Sequence, residues 1–565
     1  MDPAAGSGKQ GRKTANEINL GKRREGITAE EVAHNSADRL QRRNYFPHNS
    51  LAKEEEEGPA PSPAQGLSSP VNEQTLLIHS SPSPIALVHP ALTLQVHTVR
   101  RTRLIATLGP ATESLDAIRS LVHAGADTFR LNMSHASHEW AREISARVRE
   151  AATDAPRART VGLLFDLQGP SIRTGTLPQP FELNEGDKVE FRHSGSDPAL
   201  PYSTTVNYTS MVSDVSVGDT LLVDNGSMIM KIEGVTNDRI TCEVQTAGQL
   251  GSRRHINLPG VRLNLPALTE KDRADIEVAT ECGADFIAGS FVRDADHVNE
   301  LRAHIQQAGG HAQLIAKLED QEAIKHLDDI IHASDLIMVA RGDLGIEVHI
   351  EELPIIQRRI VKRCHNLGRR VIVATHLLES MIESPTPTRA EITDCANAVY
   401  EEADALMVSG ETSVGKHPQR CLEILDRVAR RIERSGGLGY ASSADLRTTR
   451  QQAVRAAVQL ADSIQDAIMV VFTRTGTTAN QTALLRPRSP IYAFTPETTV
   501  CRGLALSRGV RPFVMPFREM PRDTIAEAVA TLRNRRDVPE GTPLVIFSDT
   551  FQIDHAVNSI LLDQM

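Results

Sequence analysis

The sequence predicts an α/β protein built on a TIM (β/α)8 barrel, with an inserted small β-barrel lid domain and a C-terminal α/β domain. Three observations support the barrel. Eight short runs rich in Val, Ile and Leu lie between residues 103 and 413, and none shows the clean polar alternation of a half-exposed strand. Helical patterns separate most of these runs. Polar or charged residues lie at the ends of the runs, where the active site of such a barrel is found.

The predicted strands follow one another along the chain, and the first helix between them has clear limits. Ser114 is a predicted N-cap, and Gly125 is a predicted stop. The strands are RLIATLG (103–109), DTFRLNMS (127–134), VGLLFDLQG (161–169), FIAGSFV (286–292), QLIAKLE (313–319), LIMVARGDL (336–344), VIVATHLLE (371–379) and ALMVSGETS (405–413).

The interval between the third and fourth strands is far longer than an ordinary βα loop. Most of it is rich in Gly, Thr and Val and contains short alternating stretches such as DTLLVDNG and DRITCEVQT, which predict a small all-β domain. Because this domain follows strand three, we expect it over the C-terminal mouth of the barrel, where it would act as a lid that excludes water.

The chain is too long for one core and is predicted to form several domains. Its first residues contain a glutamate run and Pro/Ser-rich stretches, which bury too little apolar surface to order the chain. Its last residues alternate again between helices and strands, from RQQAVRAAVQLADSI to TPLVIFSD. The predicted domains are a disordered extension (1–97), a first barrel segment (98–170), the inserted lid (171–260), a second barrel segment (261–437) and a C-terminal α/β domain (438–565).

Composition excludes several classes of function. The net charge of −10, without a dense basic stripe, argues against a nucleic-acid partner. Six scattered cysteines without a CxxC pair indicate a reducing compartment, no disulfide framework and no zinc site. No apolar run approaches the ~18 residues of a membrane span, and the acidic residues of the extension argue against a transit peptide. The prediction is a cytoplasmic protein without a membrane partner.

Charged and polar side chains are predicted to converge at the mouth of the barrel. Side chains two residues apart on a strand share a face, so Lys317 and Glu319 point the same way. Glu319 and Asp343 come from adjacent strands and offer only oxygen ligands, which suits Mg²⁺. The other strand-end residues are Arg130, Asn132, Ser134, Asp166, Thr375, Ser409 and Glu411.

Two cations accompany these carboxylates. Arg130 and Lys317 would bind and neutralise a phosphoryl group. The turn that contains Gly342 offers backbone N–H groups for a substrate carboxylate. Each residue taken alone has a simpler interpretation, such as a rim salt bridge for Lys317 with Glu319 or a surface position for Arg130. Their joint placement at strand ends favours a site.

Eight stretches of the chain resemble pyruvate kinase, in order and spacing. The resemblance extends from about residue 102 to the C-terminus, and MVARGDLGIE and LESMIESPTPTRAE are its most specific motifs. It implies transfer of the phosphoryl group of phosphoenolpyruvate to ADP, which gives pyruvate and ATP in the last step of glycolysis. The stretches are TRLIATLGPATES, FRLNMSHASHEW, FDLQGPSIRTG, INLPGVRLNLPALTEKD, IAKLEDQEAI, SDLIMVARGDLGIEV, ATHLLESMIESPTPTRAEITDCANAV and SGETSVGKHP.

The resemblance also implies a role for each matching residue. Glu319 and Asp343 would bind the divalent ion, Mg²⁺ or Mn²⁺, that bridges enolate and phosphoryl oxygens. Arg130 and Lys317 would hold the phosphoryl group, and Lys317 would stabilise it in flight. Thr375 would help to deliver a proton through water. Further implied sets are Gly342 for substrate, Asn132, Ser134, Asp166 and Leu167 for K⁺, and Arg130, His135 and Arg173 for nucleotide phosphates.

The chain departs from the family pattern at the potassium site. Potassium-dependent members have DTKGPEIRTG at strand three, where this chain has DLQGPSIRTG. Leu167 and Gln168 resemble the potassium-independent subgroup, but that subgroup carries a lysine where this chain has Ser171. Thr174 resembles the potassium-dependent type. Together these features favour independence from K⁺.

The C-terminal domain is expected to serve assembly and regulation. The resemblance implies a homotetramer with an effector site in this domain. The TRTGTTA stretch resembles a phosphate-binding loop for a sugar phosphate, rich in hydroxyl and amide groups. The final loop, SDTFQIDHAV, lacks the tryptophan and arginine of members sensitive to fructose 1,6-bisphosphate, so a bisphosphate activator is not expected. A monophosphate or no effector remains open.

Two other functions compete with this one. A metal-dependent aldolase or lyase of the phosphoenolpyruvate/pyruvate barrel group would share the carboxylate pair, but it would need neither Lys317 nor the lid. A non-catalytic scaffold would be expected to lose Lys317, Glu319, Asp343 or Arg130, and all four are present.

Overall fold

A computed structural model describes residues 100–154, 160–535, 538–552 and 555–565, so the predicted extension 1–97 lies outside the described residues. The barrel begins with the predicted alternation of strands and helices. Ser114 accepts a hydrogen bond from Ala117 N–H at the start of the first helix, and left-handed Gly125 (φ 112°) ends it, as expected. The elements are β1 (Arg103–Thr107), α1 (Leu115–Ala124), β2 (Thr128–Asn132), α2 (His138–Asp154) and β3 (Gly162–Asp166).

The chain then leaves the barrel for a β-rich insertion, in agreement with the sequence. Its elements are β4 (Ile172–Arg173), β5 (Phe181–Leu183), β6 (Lys188–Arg192), β7 (Tyr202–Thr205), α3 (Met211–Asp214), β8 (Thr220–Val223), β9 (Met228–Val235), β10 (Arg239–Val244), β11 (Gly248–Leu250) and β12 (His255–Asn257). Seven strands form one sheet in the order β4-β12-β8-β9-β10-β6-β7, and β11 pairs with β5. An antiparallel bridge between Thr174 and Val206 joins the outer strands. The lid role of this inserted sheet stays a prediction.

The barrel resumes after the insertion and closes. Its elements are α4 (Glu270–Glu281), β13 (Phe286–Gly289), α5 (Ala295–Gln307), β14 (Gln313–Leu318), α6 (Gln321–Lys325), α7 (Leu327–Ala333), β15 (Leu336–Ala340), α8 (Arg341–Glu347), α9 (Leu353–Leu367), β16 (Arg370–Ala374), a 3₁₀ turn (Glu379–Ile382), α10 (Arg389–Tyr400), β17 (Ala405–Val408), α11 (Gly410–Ser413) and α12 (Pro418–Glu433). Parallel pairing of β1 with both β2 and β17 completes the ring β1-β17-β16-β15-β14-β13-β3-β2. The predicted eight-stranded TIM barrel is confirmed.

All eight barrel strands end earlier than the predicted runs, and the difference at the sixth strand matters most for the site. The sixth run was predicted as a strand to residue 344, but β15 stops at Ala340 and the chain turns at once into α8. Asp343 therefore lies in the first turn of a helix rather than at the tip of a strand. The predicted turn of backbone N–H groups is therefore the start of this helix.

The C-terminal region is an α/β layer, as expected. After a 3₁₀ turn (Tyr440–Ser443), its elements are α13 (Thr449–Ser463), β18 (Ile468–Phe472), α14 (Thr477–Leu484), β19 (Ile491–Thr495), α15 (Thr498–Gly503), β20 (Val510–Val514), α16 (Pro521–Arg535), β21 (Pro543–Gln552) and β22 (His555–Gln564). They form the sheet β20-β19-β18-β21-β22. The sequence analysis missed α15, β20, α16 and β22. The predicted domain limits stay predictions.

The interior of the barrel is a packed core that is sealed at one end. Alternate strand residues, among them Ile105, Ile315 and Ile372, fill it together with Leu506, which follows α15. Ala505 beside this plug lies against Gly162 at the start of β3, so the seal is at the N-terminal end of the strands. The opposite, C-terminal mouth is left for chemistry. Within the described residues, no helix has the length and apolarity to cross a membrane.

Candidate active site

A chain of alternating charges lies at the C-terminal mouth of the barrel. Arg130 of β2 donates Nε–H to Asp166 Oδ2 at 2.6 Å. Lys317 Nζ of β14 lies 3.2 Å from Asp166 Oδ1 and 2.9 Å from Glu319 Oε1. All four residues are buried. Isolated charges at this depth would be costly, and the alternation of cations with carboxylates offsets that cost.

Burial and neighbouring charges set the protonation of this chain. Burial alone would raise the pKa of Asp166, but Lys317 and Arg130 hold it below its usual value. Burial opposes the charge of Lys317, but the carboxylates of Asp166 and Glu319 keep its pKa above the ordinary range. Burial raises the pKa of Glu319 to about 7, opposed by Lys317 and reinforced by Asp343. A further cation beside Glu319, such as a bound metal ion, would therefore favour its ionised form.

Two carboxylates at the mouth have acceptor capacity for a metal ion. Glu319 Oε2 accepts Phe291 N–H at 2.6 Å, whereas Oε1 accepts no well-directed hydrogen bond from the described residues. The Asp343 carboxylate makes no hydrogen bond or ion pair with another side chain in the described part of the chain. No cluster of three or more His, Cys, Asp or Glu able to hold a metal occurs among those residues. The pair therefore fits Mg²⁺ that takes its other ligands from water and substrate.

A cavity of about 360 Å³ opens beside these groups. Its cations outnumber its carboxylates, which suits a ligand rich in phosphate. Eight of the residues predicted for the site line it: Arg130, Asn132, Ser134, His135, Arg173, Lys317, Glu319 and Asp343.

Thr375 and Gly342 do not line this cavity but meet each other at the start of α8. Thr375 Oγ1 accepts Gly342 N–H at 2.8 Å and donates to Ala374 O at 2.6 Å. Thr375 has φ 69°, a strained conformation for a β-branched residue. The Arg341 guanidinium holds it in place by donating to the carbonyls of Thr375 and Ala374. The chain thus stores strain at a residue predicted to be catalytic.

Three of the four residues of the predicted potassium cradle, Asn132, Asp166 and Leu167, already have protein donors. Asn132 Oδ1 accepts Ser134 N–H at 3.2 Å, and Asp166 is paired with two cations. Leu167 O accepts the Ser290 hydroxyl at 2.8 Å, and neither Asp166 nor Leu167 lines the cavity. These oxygens fit K⁺ less well than Glu319 and Asp343 fit a divalent ion.

Two strand-end residues of the sequence analysis belong to the scaffold rather than to the site. Glu411 is buried, and its carboxylate accepts Ser409 N–H at 2.7 Å and Leu378 N–H at 3.1 Å. It therefore ties the ends of β16 and β17 together. Neither Ser409 nor Glu411 lines the cavity.

The sequence analysis missed residues that follow the fourth barrel strand. Lys317 Nζ donates to Ser290 Oγ at 2.6 Å, which gives the ammonium a third partner. Phe291 presents its N–H to Glu319 and adopts φ 53°. A signal was present in the sequence. Apart from β1, strand four was the one predicted barrel strand to which no site residue was assigned. Its continuation, Ser290 and Phe291, supports both the cation and the carboxylate.

The inserted sheet also contributes residues that were missed. Arg253, Arg254 and His255 line the cavity from the turn before β12 and from the first residue of that strand. Arg254 Nη1 donates to Asp224 Oδ1 at 3.2 Å, and the His255 ring centroid lies 5.8 Å from that of Phe291. Burial lowers the pKa of His255, although Asp343 opposes the shift. The basic RRH run before INLPG is the signal that identifies this group.

The predicted effector loop precedes α14. Gly476 is left-handed (φ 85°), and the hydroxyls of Thr475 and Thr477 lie 2.9 Å apart. Arg450 of α13 donates to Thr478 Oγ1 in the first turn of α14. Residues 553 and 554 of the final loop, and the side chains of residues 549–557, lie outside the described residues.

Comparison with known proteins decides the family. The family model "Pyruvate kinase, barrel domain" matches residues 99–422, and "Pyruvate kinase, alpha/beta domain" matches residues 451–560. The chain belongs to the pyruvate kinase family. The resemblance drawn from the sequence motifs is thereby confirmed, as is the class of enzyme, a phosphotransferase that acts on phosphoenolpyruvate and ADP.

Individual relatives match over most of their length. Plastidial pyruvate kinase 2 of Arabidopsis thaliana is 41% identical over 453 residues, which cover 80% of this chain and 78% of the relative. The pyruvate kinase of Geobacillus stearothermophilus is 40% identical over 421 residues, 73% of this chain and 71% of the relative. That of Methylorubrum extorquens is 36% identical over 460 residues, 79% of this chain and 95% of the relative.

Proposed function

We propose that the cavity beside Lys317 is where the chain transfers the phosphoryl group of phosphoenolpyruvate to ADP. The observation that carries this placement is the buried Lys317 ammonium, held between Asp166 and Glu319 with Arg130 one carboxylate away. Catalysis of phosphoryl transfer consists mainly of positioning and charge neutralisation. Cations fixed before substrate binds perform both tasks without reorganisation.

The two cations are proposed to act on the phosphoryl oxygens. Arg130 is oriented by Asp166 and by Thr107, whose hydroxyl accepts Nη1–H at 3.2 Å. Lys317 is oriented by Asp166, Glu319 and Ser290. Because both side chains are already immobile, little side-chain entropy remains to be lost when the phosphoryl group binds. His135 and Arg173 are proposed to face the nucleotide phosphates from the same cavity.

Glu319 and Asp343 are proposed to hold the divalent ion. When bound, Mg²⁺ or Mn²⁺ would act as a Lewis acid toward the enolate and phosphoryl oxygens. The contribution of this chain is a pair of carboxylates with open acceptor positions, one of them buried. The Phe291 N–H fixes the orientation of the Glu319 carboxylate.

Thr375 is proposed to orient the water that protonates enolpyruvate. Its hydroxyl is the acceptor for Gly342 N–H at 2.8 Å. A substrate carboxylate at that N–H would replace Thr375 as the acceptor and release the hydroxyl to bind a water. The strained backbone of Thr375 keeps the side chain beside the start of α8 throughout.

An assay of the purified chain tests this function directly. We expect pyruvate and ATP from phosphoenolpyruvate, ADP and Mg²⁺, and no pyruvate when ADP is left out. Pyruvate formation is followed by a coupled dehydrogenase. Absence of pyruvate from a folded chain would contradict the proposal and favour the scaffold alternative.

We propose further that the reaction does not require K⁺. Arg173 Nε donates to Ser171 Oγ at 3.2 Å, so a guanidinium charge lies beside the position where potassium-independent relatives carry lysine. The expected result is the same rate, within about twofold, with Na⁺ or K⁺ as the sole monovalent ion. The assay above measures it. A rate that appears only with K⁺ would assign the cradle of Asn132, Ser134, Asp166 and Leu167 to that ion.

A homotetramer is proposed, with one interface at the free edge of the C-terminal sheet. β22 is the outer strand of that sheet, and Leu562 on it is 62% exposed. Leu562→Lys is expected to reduce the particle mass to half or a quarter, because charge on an edge strand prevents pairing. Light scattering after size exclusion measures the mass. Val514→Lys, on the opposite edge strand β20 and 51% exposed, is the matched control. An unchanged mass for Leu562→Lys would refute this placement.

The cytoplasmic location is also proposed rather than shown. It rests on the acidic residues of the predicted extension 1–97. Three relatives carry the words plastidial or chloroplastic in their names, among them Plastidial pyruvate kinase 2 of Arabidopsis thaliana and Pyruvate kinase isozyme G, chloroplastic, of Nicotiana tabacum. Microscopy of the full chain with a C-terminal fluorescent tag distinguishes the cytoplasm from the plastid. Diffuse cytoplasmic fluorescence is expected, and fluorescence confined to plastids would contradict the proposal.

A further inference from the structure

The short helix α8 connects the proposed metal and substrate residues to the inserted sheet. Asp343 lies in its first turn, and Glu347, four residues later on the same face, is its last residue. Glu347 Oε1 accepts Asn257 Nδ2–H at 2.9 Å. Asn257 is the last residue of β12, and His255, the first residue of the same strand, lines the main cavity. The first turn of α8 therefore carries the proposed metal ligand, and its last residue contacts the inserted sheet.

A second contact joins the end of α8 to the inserted sheet. The turn between β8 and β9 contains Gly226, where an added Cβ would lie 3.7 Å from Ile346 Cγ2. Asp224 and Asn225 of the same turn line the main cavity. The last two residues of α8 thus meet the sheet at β12 and at this turn. Movement of the sheet over the mouth would be transmitted to the helix that carries Asp343.

The Asn257–Glu347 hydrogen bond is not explained by packing. A second cavity, of about 340 Å³, adjoins both side chains, so tight packing does not fix them. Asn257 is only 5% exposed, and its Oδ1 has no hydrogen-bond partner among the described residues. Burial raises the pKa of Glu347 to about 7, which the Asn257 hydrogen bond opposes. Asn257 is buried and Glu347 is half-buried, and a polar pair with these costs is a poor source of stability.

We propose that the hydrogen bond between Asn257 and Glu347 is a tether that positions α8, and with it Gly342 and Asp343, against the inserted sheet. The tether deepens the proposed function and rests on the metal role given there to Asp343. Neither Asn257 nor Glu347 lines the main cavity, so both are positioning residues. The tether makes the affinity of the site for a divalent ion and for phosphoenolpyruvate depend on the placement of the sheet.

The tether predicts a pattern of loss and rescue. Asn257→Asp sets a second carboxylate against Glu347, and we expect it to weaken Mn²⁺ binding and raise KM for phosphoenolpyruvate about tenfold, within the usual range of coupling between sites. Glu347→Gln keeps an amide oxygen that accepts from Asn257 and should stay within about threefold of the wild type. In Asn257→Asp with Glu347→Gln, donor and acceptor exchange places, and affinity should return.

A matched control lies elsewhere on the inserted sheet. Gln245 Nε2 donates to Glu243 Oε2 at 3.1 Å, and neither residue lines either of the two cavities. Gln245→Glu therefore makes the same amide-to-acid change beside a glutamate without touching the tether. It should leave Mn²⁺ affinity and KM unchanged. Mn²⁺ binding is followed by electron paramagnetic resonance, steady-state kinetics give KM and kcat, and thermal unfolding reports folding.

The proposal is overturned if Asn257→Asp binds Mn²⁺ and phosphoenolpyruvate as the wild type does. It is also overturned if the double variant stays as impaired as Asn257→Asp while unfolding at the wild-type temperature. If Asn257→Asp does not fold, Glu347→Ala and Glu347→Gln take its place, and equal Mn²⁺ affinity in these two would overturn the tether. Because Mn²⁺ binding is measured directly, a wild-type chain that forms no pyruvate would contradict the proposed function alone.

Discussion

Lys317→Met is expected to lower kcat by about 10³-fold or more while the chain keeps its fold. Methionine preserves the length and apolar body of the side chain but removes the ammonium. That ammonium is the group shared by Asp166, Glu319 and Ser290, and it is the one proposed to neutralise the phosphoryl group in flight. Loss of this charge removes stabilisation of the transition state, and it also leaves the buried carboxylates of Asp166 and Glu319 with one cation fewer. Thermal unfolding of the metal-free variant measures that second cost.

The same substitution is expected to change metal binding in a pH-dependent way. Lys317 opposes the rise in the pKa of Glu319, which stands at about 7 when the ammonium is present. Without it, Glu319 should take up a proton at higher pH, so Mn²⁺ should bind nearly normally at alkaline pH and weakly at neutral pH. Steady-state kinetics and Mn²⁺ titrations at both pH values measure these effects.

The control for Lys317→Met is Lys325→Met. Lys325 lies in α6, the helix that follows Glu319, and its ammonium is largely exposed in an ion pair with Glu322. Such pairs contribute little, so this variant should match the wild type. A near-normal kcat for Lys317→Met at saturating substrate would contradict the role given to the ammonium.

The barrel could be predicted from the sequence because its strands are buried on both faces. Runs such as Leu336–Ala340, buried at every position, differ sharply from the helices around them. The C-terminal sheet was harder. β20 contains Pro512 and buries only its first residue fully, so it lacks an apolar run. β22 pairs antiparallel with β21 and exposes Leu561 and Leu562, so its place at the edge of the sheet depends on tertiary context.

The site was predictable only where a strand end carries the chemistry. Parallel strands bring their C-terminal ends together, and Arg130, Lys317 and Glu319 meet there for that reason. Arg254 and His255 come from an insertion whose approach to the mouth depends on packing between distant segments. The left-handed backbone of Thr375 was also invisible, because nothing in a Val-Ala-Thr-His sequence demands a positive φ.

Glu319→Gln is expected to weaken divalent-metal binding by about 100-fold or more. Loss of a residue that only hydrogen-bonds a metal ligand typically lowers metal affinity by about 10- to 100-fold. Replacing a ligand carboxylate itself by a neutral amide should lower it by at least about 100-fold. The amide keeps the shape of the side chain and can still accept Phe291 N–H. kcat/KM for phosphoenolpyruvate should fall with the metal affinity. Glu322→Gln, on α6, is the isosteric control.

The pH dependence of Glu319 gives this variant a second signature. Burial raises the pKa of Glu319 in the folded chain to about 7, above its value of ~4.3 in the unfolded chain. Between these two pH values the metal-free folded state therefore binds more protons than the unfolded state does. Its stability therefore falls as pH rises from about 4 to about 7. Glu347, with a pKa also raised to about 7, contributes to the same slope, so Glu319→Gln should reduce the slope without abolishing it.

Metal and proton compete for the Glu319 carboxylate in the wild type. Its Mn²⁺ affinity should therefore rise as pH increases from about 6 and level off above about 7, where Glu319 is ionised. In Glu319→Gln this rise should be lost, because no proton has to leave before the ion binds. Mn²⁺ titrations between pH 6 and pH 8, with thermal unfolding of the metal-free proteins, separate the two effects. A wild-type affinity that is flat across this window would mean that Glu319 is ionised throughout, and Lys317 would then outweigh burial.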